Sequence, residues 1–234
     1  MAAFIVKVVV TREAGKNASL IDWLPSDAII TEVPLTTTEF RDDDEVRREL
    51  AASRSHGDFA ALVLTSVRSV RYIDVALAAS SPDVRVFSVG PATSGALVAH
   101  GVQVARESDG TAATLANYVD VGPVLLLGAA AMRPELASAL RAKGIDVVSV
   151  ACYETQGATL SESDERLVRD ADVVFIGAPS AWSVARELVT PETWVVVPGA
   201  STASDVRRDH ARVIEGWGPE LCSRLVELSI APEA

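Results

Sequence analysis

Short apolar runs rich in Val, Ile and Leu recur along the chain, separated by longer stretches of mixed polarity. They predict strands at Phe4–Val10, Ala28–Val33, Phe59–Leu64, Val84–Val89, Val102–Val104, Val124–Leu127, Ile145–Val150, Val173–Ile176, Trp194–Val197 and Val213–Ile214. Most runs are continuous rather than alternating, the pattern of parallel strands covered on both faces. The stretches between them space apolar residues three and four apart, the helical period. Leu136 and Leu140 share a face of a helix that Gly144 stops, and a helix from Val67 onward carries Val70, Ile73, Val75 and Leu77. Ten strands approach the limit of one open sheet, so the pattern predicts two five-stranded parallel sheets in an α/β architecture.

The two halves of the chain resemble each other. Val8–Glu13 answers to Val124–Ala129, Val33–Thr37 to Val150–Thr155, Leu64-Thr65-Ser66 to Ile176-Gly177-Ala178, and Gly90–Thr93 to Gly199–Thr202. This is a weak but ordered internal repeat. The repeat unit need not be the folded domain. Pro34–Thr38 and Ala151–Thr155 are extended, polar stretches at matching points, suited to paired crossovers between two lobes.

The clearest part of the repeat is Val89-Gly90-Pro91-Ala92-Thr93 and Pro198-Gly199-Ala200-Ser201-Thr202, each set between an apolar run and a helical stretch. A strand, then Gly, then a hydroxyl at a helix start can hold an anionic group, because the first-turn N–H groups point at it. Two such turns suggest two similar modules and one ligand between them.

Composition narrows the function classes. The formal net charge of −11 argues against nucleic acid or an anionic membrane surface as partner. The only cysteines, Cys152 and Cys222, form no CxxC pair or Cys/His cluster, so neither a zinc site nor a disulfide scaffold is indicated. The apolar start is too short for a membrane span and lacks the basic region and cleavage site of a signal peptide. A cytoplasmic monomer is expected. Neither GxGxxG nor GxxxxGK[ST] is present, and no acidic pair follows the first strand, which disfavours a nucleotide enzyme and a receiver domain. His56, His100 and His210 are expected at exposed helix ends or polar loops. Asp42–Asp44 suit a helix start and lack the Gly turn of a calcium loop.

Taken in order, several segments resemble the uroporphyrinogen-III synthase family over nearly the whole chain. They are Val10-Thr11-Arg12, Pro34, Thr65-Ser66 with Val70, and Val89-Gly90 with Thr93. Then come Leu136, Leu140 and Gly144 leading into Tyr153-Glu154-Thr155, Phe175 with Pro179-Ser180-Ala181, and Gly199 with Thr202-Ala203. The resemblance implies two flavodoxin-like parallel-sheet lobes joined by a two-stranded linker. One lobe would hold 1–34 plus 157–234 and the other 39–150, with 35–38 and 151–156 as linker strands. The lobes would close on substrate. It also implies a cyclising lyase acting on hydroxymethylbilane, a linear tetrapyrrole with eight carboxylates, without metal or organic cofactor. The reaction removes water, inverts the last pyrrole ring and closes the macrocycle.

By the same resemblance, Thr11, Arg12, Thr65, Ser66, Gly90, Thr93, Ser180, Gly199 and Thr202 would bind the substrate. All lie at strand C-terminal ends or helix starts, where open α/β sheets bind ligands. The competing reading is that the hydroxyls only cap helices. Arg68 and Arg133 are surface candidates for carboxylate contacts. Tyr153, in the linker stretch, would hydrogen-bond the departing hydroxyl, or else merely pack. Ile176-Gly177 stands where the family often has Thr-Ser, Pro198 where it has a small or aliphatic residue, and Glu13 where it often has Pro. These departures leave an alternative: a non-catalytic protein of the same fold that binds a small anion or a tetrapyrrole.

Overall fold

The computed structural model describes residues 6–53, 57–109, 111–216, 218, 220 and 221. The chain divides into two compact units, Met1–Thr37 with Gln156–Ala234 and Thr38–Thr155. The first unit carries a sheet of β1 (Lys7–Val10), β2 (Ile29–Glu32), β9 (Val173–Phe175), β10 (Trp194–Val197) and β11 (Val213–Glu215), in the order β11-β10-β9-β1-β2. The second carries β3 (Thr36–Phe40), β4 (Phe59–Leu64), β5 (Ser80–Ser88), β6 (Val104–Glu107), β7 (Val124–Ala129) and β8 (Val147–Gly157), in the order β3-β8-β7-β4-β5-β6. The pairings of β1 with β2 and β9, of β10 with β9 and β11, and those linking β8, β7, β4, β5 and β6, are all parallel.

The continuous apolar runs explain this arrangement. Successive strand residues point to opposite faces, so a strand covered on both sides is apolar at every position. In the first unit Val8 and Val10 pack with Leu20, Phe175 and Ile214, whereas Val9 packs with Val168, Val174 and Val195. In the second, Leu62 and Leu64 meet Val86, Leu125 and Leu127 on one face, and Ala61 and Val63 meet Phe87, Val124 and Leu126 on the other.

Strand order gives the repeat its physical meaning. Matching β7 and β8 to β1 and β2, and β4, β5 and β6 to β9, β10 and β11, makes β8-β7-β4-β5-β6 the same spatial series as β2-β1-β9-β10-β11. Numbered by the repeat, each is a 2-1-3-4-5 parallel sheet of flavodoxin type. Leaving β3 aside, each sheet takes two strands from one half of the chain and three from the other. The repeat and the folded unit are therefore different objects.

The ten expected strands are present, Phe59–Leu64 and Trp194–Val197 to the residue and the others with shifted ends, and the expectations at Phe4–Ile5, His56 and Cys222 lie outside the described residues. An eleventh, β3, overlaps the stretch 35–38 expected as a linker strand and makes the second sheet six-stranded. The sixth runs later than the expected Val102–Val104 because it is a sheet edge, where Arg106 and Glu107 stay exposed. The helix expected from Val67 starts as a 3-10 helix, Val67–Tyr72, and becomes α3 (Ile73–Ala78). Ser69 and Tyr72, three apart, are both buried there, as three residues per turn require. The other helices are α1 (Ala18–Ile21), α2 (Asp43–Ser53), α4 (Pro91–Ala99), α5 (Ala112–Tyr118), α6 (Glu135–Ala142), α7 (Glu162–Arg169), α8 (Pro179–Ala185) and α9 (Ala200–Val206). Gly144 follows α6 at φ +77°, the left-handed conformation that ends a helix cheaply only at Gly. Among the described residues no helix is long and apolar enough to cross a membrane.

His100 is exposed beside Asp74, 3.2 Å from its carboxylate. His210 corrects the expectation of an exposed histidine. It is half-buried, with Nε2 2.7 Å from the Thr193 carbonyl and its ring at an angle to that of Trp182.

Cys152 is buried on β8, and burial pushes its thiol from 9.0 up to about 12. A raised folded value means the native state keeps its proton while the unfolded chain loses it. This contribution to stability is intact below pH 9 and declines as pH rises towards 12. In a Cys222→Ser background, Cys152 should resist iodoacetamide at pH 8 in native protein and react once urea unfolds it. Equal labelling rates in both states would refute this account of the thiol.

Candidate functional site

Because the strands of each sheet other than the edge strand β3 run in parallel, their C-terminal ends line one edge. In the first unit the neighbours β1, β9 and β10 lead into Thr11-Arg12, Gly177–Ser180 and Pro198–Thr202. In the second, β4 and β5 lead into Thr65-Ser66 and Val89–Thr93, and Tyr153 of β8 pairs with Ala129 at the end of β7. The structure thus gathers the sequence candidates into two sets, one per unit.

Within each set the connections diverge at one point, between β1 and β9 and between β7 and β4. Open parallel sheets bind ligands at such points. A threonine crosses each. The Thr11 hydroxyl, buried, donates to the Phe175 carbonyl, and the Thr65 hydroxyl donates to the Leu127 carbonyl at 3.3 Å. Gly128 makes room for the second of these: a Cβ there would lie 2.5 Å from Thr65 Oγ1 and would also strike the Met132 sulfur.

The two Gly-x-x-Thr turns are alike in three dimensions. Gly90 and Gly199 are extended residues immediately before α4 and α9, and Thr93 and Thr202 are buried at the third helical position. Neither helix start receives a side-chain cap, and nor does α8, whose second residue is Ser180. By contrast, Thr111 caps α5 and Ser161 caps α7. Ser66 does cap its helix, accepting from the Arg68 N–H at 3.2 Å, whereas Thr93, Ser180 and Thr202 cap none. A Cβ on either glycine would meet no atom within 4 Å. Gly90→Ala and Gly199→Ala should consequently leave Tm nearly unchanged, within about 0.5 kcal/mol of stability. If a carboxylate rests on those N–H groups, the added methyl should raise its dissociation constant. Fluorescence titration with an octacarboxylate porphyrin measures this.

Tyr153 is buried on β8, with 6 % of its surface accessible. The Arg68 guanidinium lies 5.6 Å from its ring centroid, within cation–π range, and the Phe40 ring lies at 6.1 Å and 51°. Arg68, expected as a surface arginine, thus packs against the Tyr153 ring. Both contacts are made to the ring, which fixes its place beside the end of β7.

Asn17 was not legible as a site residue. It is fully buried, and its Nδ2 donates to the Arg12 carbonyl at 3.2 Å and to the Glu32 carboxylate at 2.7 Å. It ties the turn after β1 to the end of β2. Asn before a short helix signals a cap, and here the side chain instead turns back to hold Arg12. Among the described residues no group of three His, Cys, Asp or Glu side chains is placed to hold a metal ion.

Comparison with known proteins adds a family and a fold. A family model described as uroporphyrinogen-III synthase HemD matches residues 26–215. The chain is similar to uroporphyrinogen-III synthetase from Helicobacter pylori 26695, with a TM-score of 0.66 and 17 % identity over 97 % of this chain and 100 % of that one. It is also similar to a mutant uroporphyrinogen III synthase from the extreme thermophile Thermus thermophilus, with a TM-score of 0.64 and 16 % identity over 96 % and 97 % of the two chains. At these identities the structural likeness speaks for the fold. No curated protein matches the sequence at a significant level.

Proposed function

Since this chain belongs to the uroporphyrinogen-III synthase family, we propose that it cyclises hydroxymethylbilane to uroporphyrinogen III. The observation that carries this reading furthest is the pairing of Tyr153 with uncapped Gly-x-x-Thr helix starts, on the same kind of sheet edge. An octacarboxylate needs many N–H and hydroxyl donors along its length, and these turns supply them.

The chemistry begins at the hydroxymethyl carbon of the substrate. The C–O bond breaks, and the hydroxyl leaves with one added proton as water. The pyrrole nitrogen lone pair stabilises the resulting cation. Tyr153 donates a hydrogen bond to the departing oxygen and improves it as a leaving group. Attack by the substituted carbon of the last pyrrole makes a spiro centre. Fragmentation and reclosure at the other position invert that ring, and loss of a proton restores aromaticity. The protein's main contribution is to hold the ends in register and keep water from the cation. Arg12, Thr11, Thr65, Ser66, Thr93, Ser180 and Thr202, with the backbone at Gly90 and Gly199, bind the acid arms. The reading requires no cofactor.

The test is product identity. Fresh hydroxymethylbilane is incubated with the protein, and the oxidised products are separated into type III and type I isomers. Excess type III supports the reading. Type I alone, with tight binding of an octacarboxylate porphyrin, would replace it with the non-catalytic binding protein.

A further inference from the structure

Phe40, the last residue of β3, is 42 % exposed. Its surroundings are specific. The Tyr153 ring stands 6.1 Å away on one side, and the Arg71 guanidinium lies 5.2 Å from its centroid. Arg71 is also 5.7 Å from the ring of Tyr72, which is buried and donates its hydroxyl to the Arg41 carbonyl at 2.6 Å. Arg68 lies against the far partner, Tyr153. Arg68, Tyr153, Phe40, Arg71 and Tyr72 thus form one series in which two guanidinium groups lie against three aromatic rings, and it is anchored in the core at Tyr153 and Tyr72. Asp43 pairs with Arg71 at 3.3 Å, with both side chains about half exposed. So exposed a pair holds weakly, and an incoming carboxylate can displace Asp43.

We propose that Phe40 and Arg71 form a substrate-positioning platform beside Tyr153, on which a pyrrole ring lies against Phe40 while one of its carboxylate arms pairs with Arg71. This rests on the proposed function and deepens it by assigning two residues to the same site. The chemistry matches on both counts. A pyrrole is an electron-rich aromatic ring that gains by stacking on Phe40 at the edge of the guanidinium. Its acid arms suit a planar fork donor. The platform would set the ring at a fixed distance from the Tyr153 hydroxyl.

The experiment compares Phe40→Leu, Phe40→Trp and Arg71→Gln with the unmodified protein. Leu167→Gln on α7, an equally exposed apolar position at 41 %, serves as control. Two readouts are taken: steady-state kinetics with hydroxymethylbilane, and tryptophan-quenching titration with uroporphyrin. Phe40→Leu should raise KM and the dissociation constant about tenfold, the size expected for one lost stacking contact. Phe40→Trp should restore both, with a direct comparison by competition titration because Trp adds its own emission. Arg71→Gln should raise both severalfold and flatten their salt dependence. Unchanged KM and affinity in Phe40→Leu, in protein that makes type III product, would overturn the platform alone. Type I product from the unmodified protein would overturn the proposed function, and the titration would then decide the platform by itself.

Discussion

Replacing Tyr153 by Phe is expected to lower kcat by about tenfold to a hundredfold, at the low end of what a positioned acid contributes, with little change in KM. The substitution removes one oxygen and keeps the ring. Contacts with Phe40 and the Arg68 guanidinium should survive, because both are made to the ring itself. Binding should therefore stay, and only the hydrogen bond to the departing hydroxyl should go. Activity should not vanish, since the substrate's own pyrrole nitrogen expels the hydroxyl. Tyr153→Ala differs in kind. It empties a buried position beside β7 and should cost about 3–5 kcal/mol of stability as well. Stopped-flow turnover with product analysis separates the cases. Full activity in Tyr153→Phe would remove the hydrogen-bond role and leave Tyr153 as packing.

Gly128→Ala should do more damage than its single methyl suggests. Gly128 is buried in β7, and the new Cβ would strike the Met132 sulfur and lie 2.5 Å from Thr65 Oγ1. The methionine is flexible and can move. The threonine is β-branched and stiff, so it must change rotamer and abandon the Leu127 carbonyl. Overpacking of this kind costs about 1–3 kcal/mol. The accompanying fall in Tm, at about 2–4 °C per kcal/mol for a chain of this size, is measurable by calorimetry. Turnover should fall too, because Thr65 is displaced at the point where the second sheet's connections diverge. Adding Met132→Ala removes only the flexible partner and should recover neither Tm nor turnover. Joint recovery would mean that the methionine clash, and not Thr65, carries both effects. Gly90→Ala is the contrast: the same substitution, with open space around the methyl.

How much of this was readable in the chain depends on what each feature rests on. Strands such as Phe59–Leu64 and Trp194–Val197 were legible to the residue, because burial on both faces demands an unbroken apolar run. Thr36–Phe40 has no apolar run to mark it; the family resemblance alone implied a linker strand at 35–38, and pairing beside β8 makes it a sheet strand. The repeat was visible as matched segments, but the exchange of strands between sheets is a property of three-dimensional order. For the site, Gly-x-x-Thr gave the turns, because backbone geometry there follows local sequence. The alignment of Arg68 with Tyr153, and the grip of Asn17 on the Arg12 turn, join distant or unremarked positions that no local spacing encodes. Ile176-Gly177, a departure from the family pattern, fits its place. Ile176 is fully buried, and its N–H donates to the Val196 carbonyl at 2.8 Å.

The measurement that bears most directly on the central claim is the isomer ratio formed from fresh hydroxymethylbilane. Spontaneous closure gives type I, without inversion of the last ring, so the protein's contribution is read against a known background. The account predicts a large excess of type III that grows with protein concentration and diminishes in Tyr153→Phe. Type I alone, at the spontaneous rate and at any protein concentration, would contradict it.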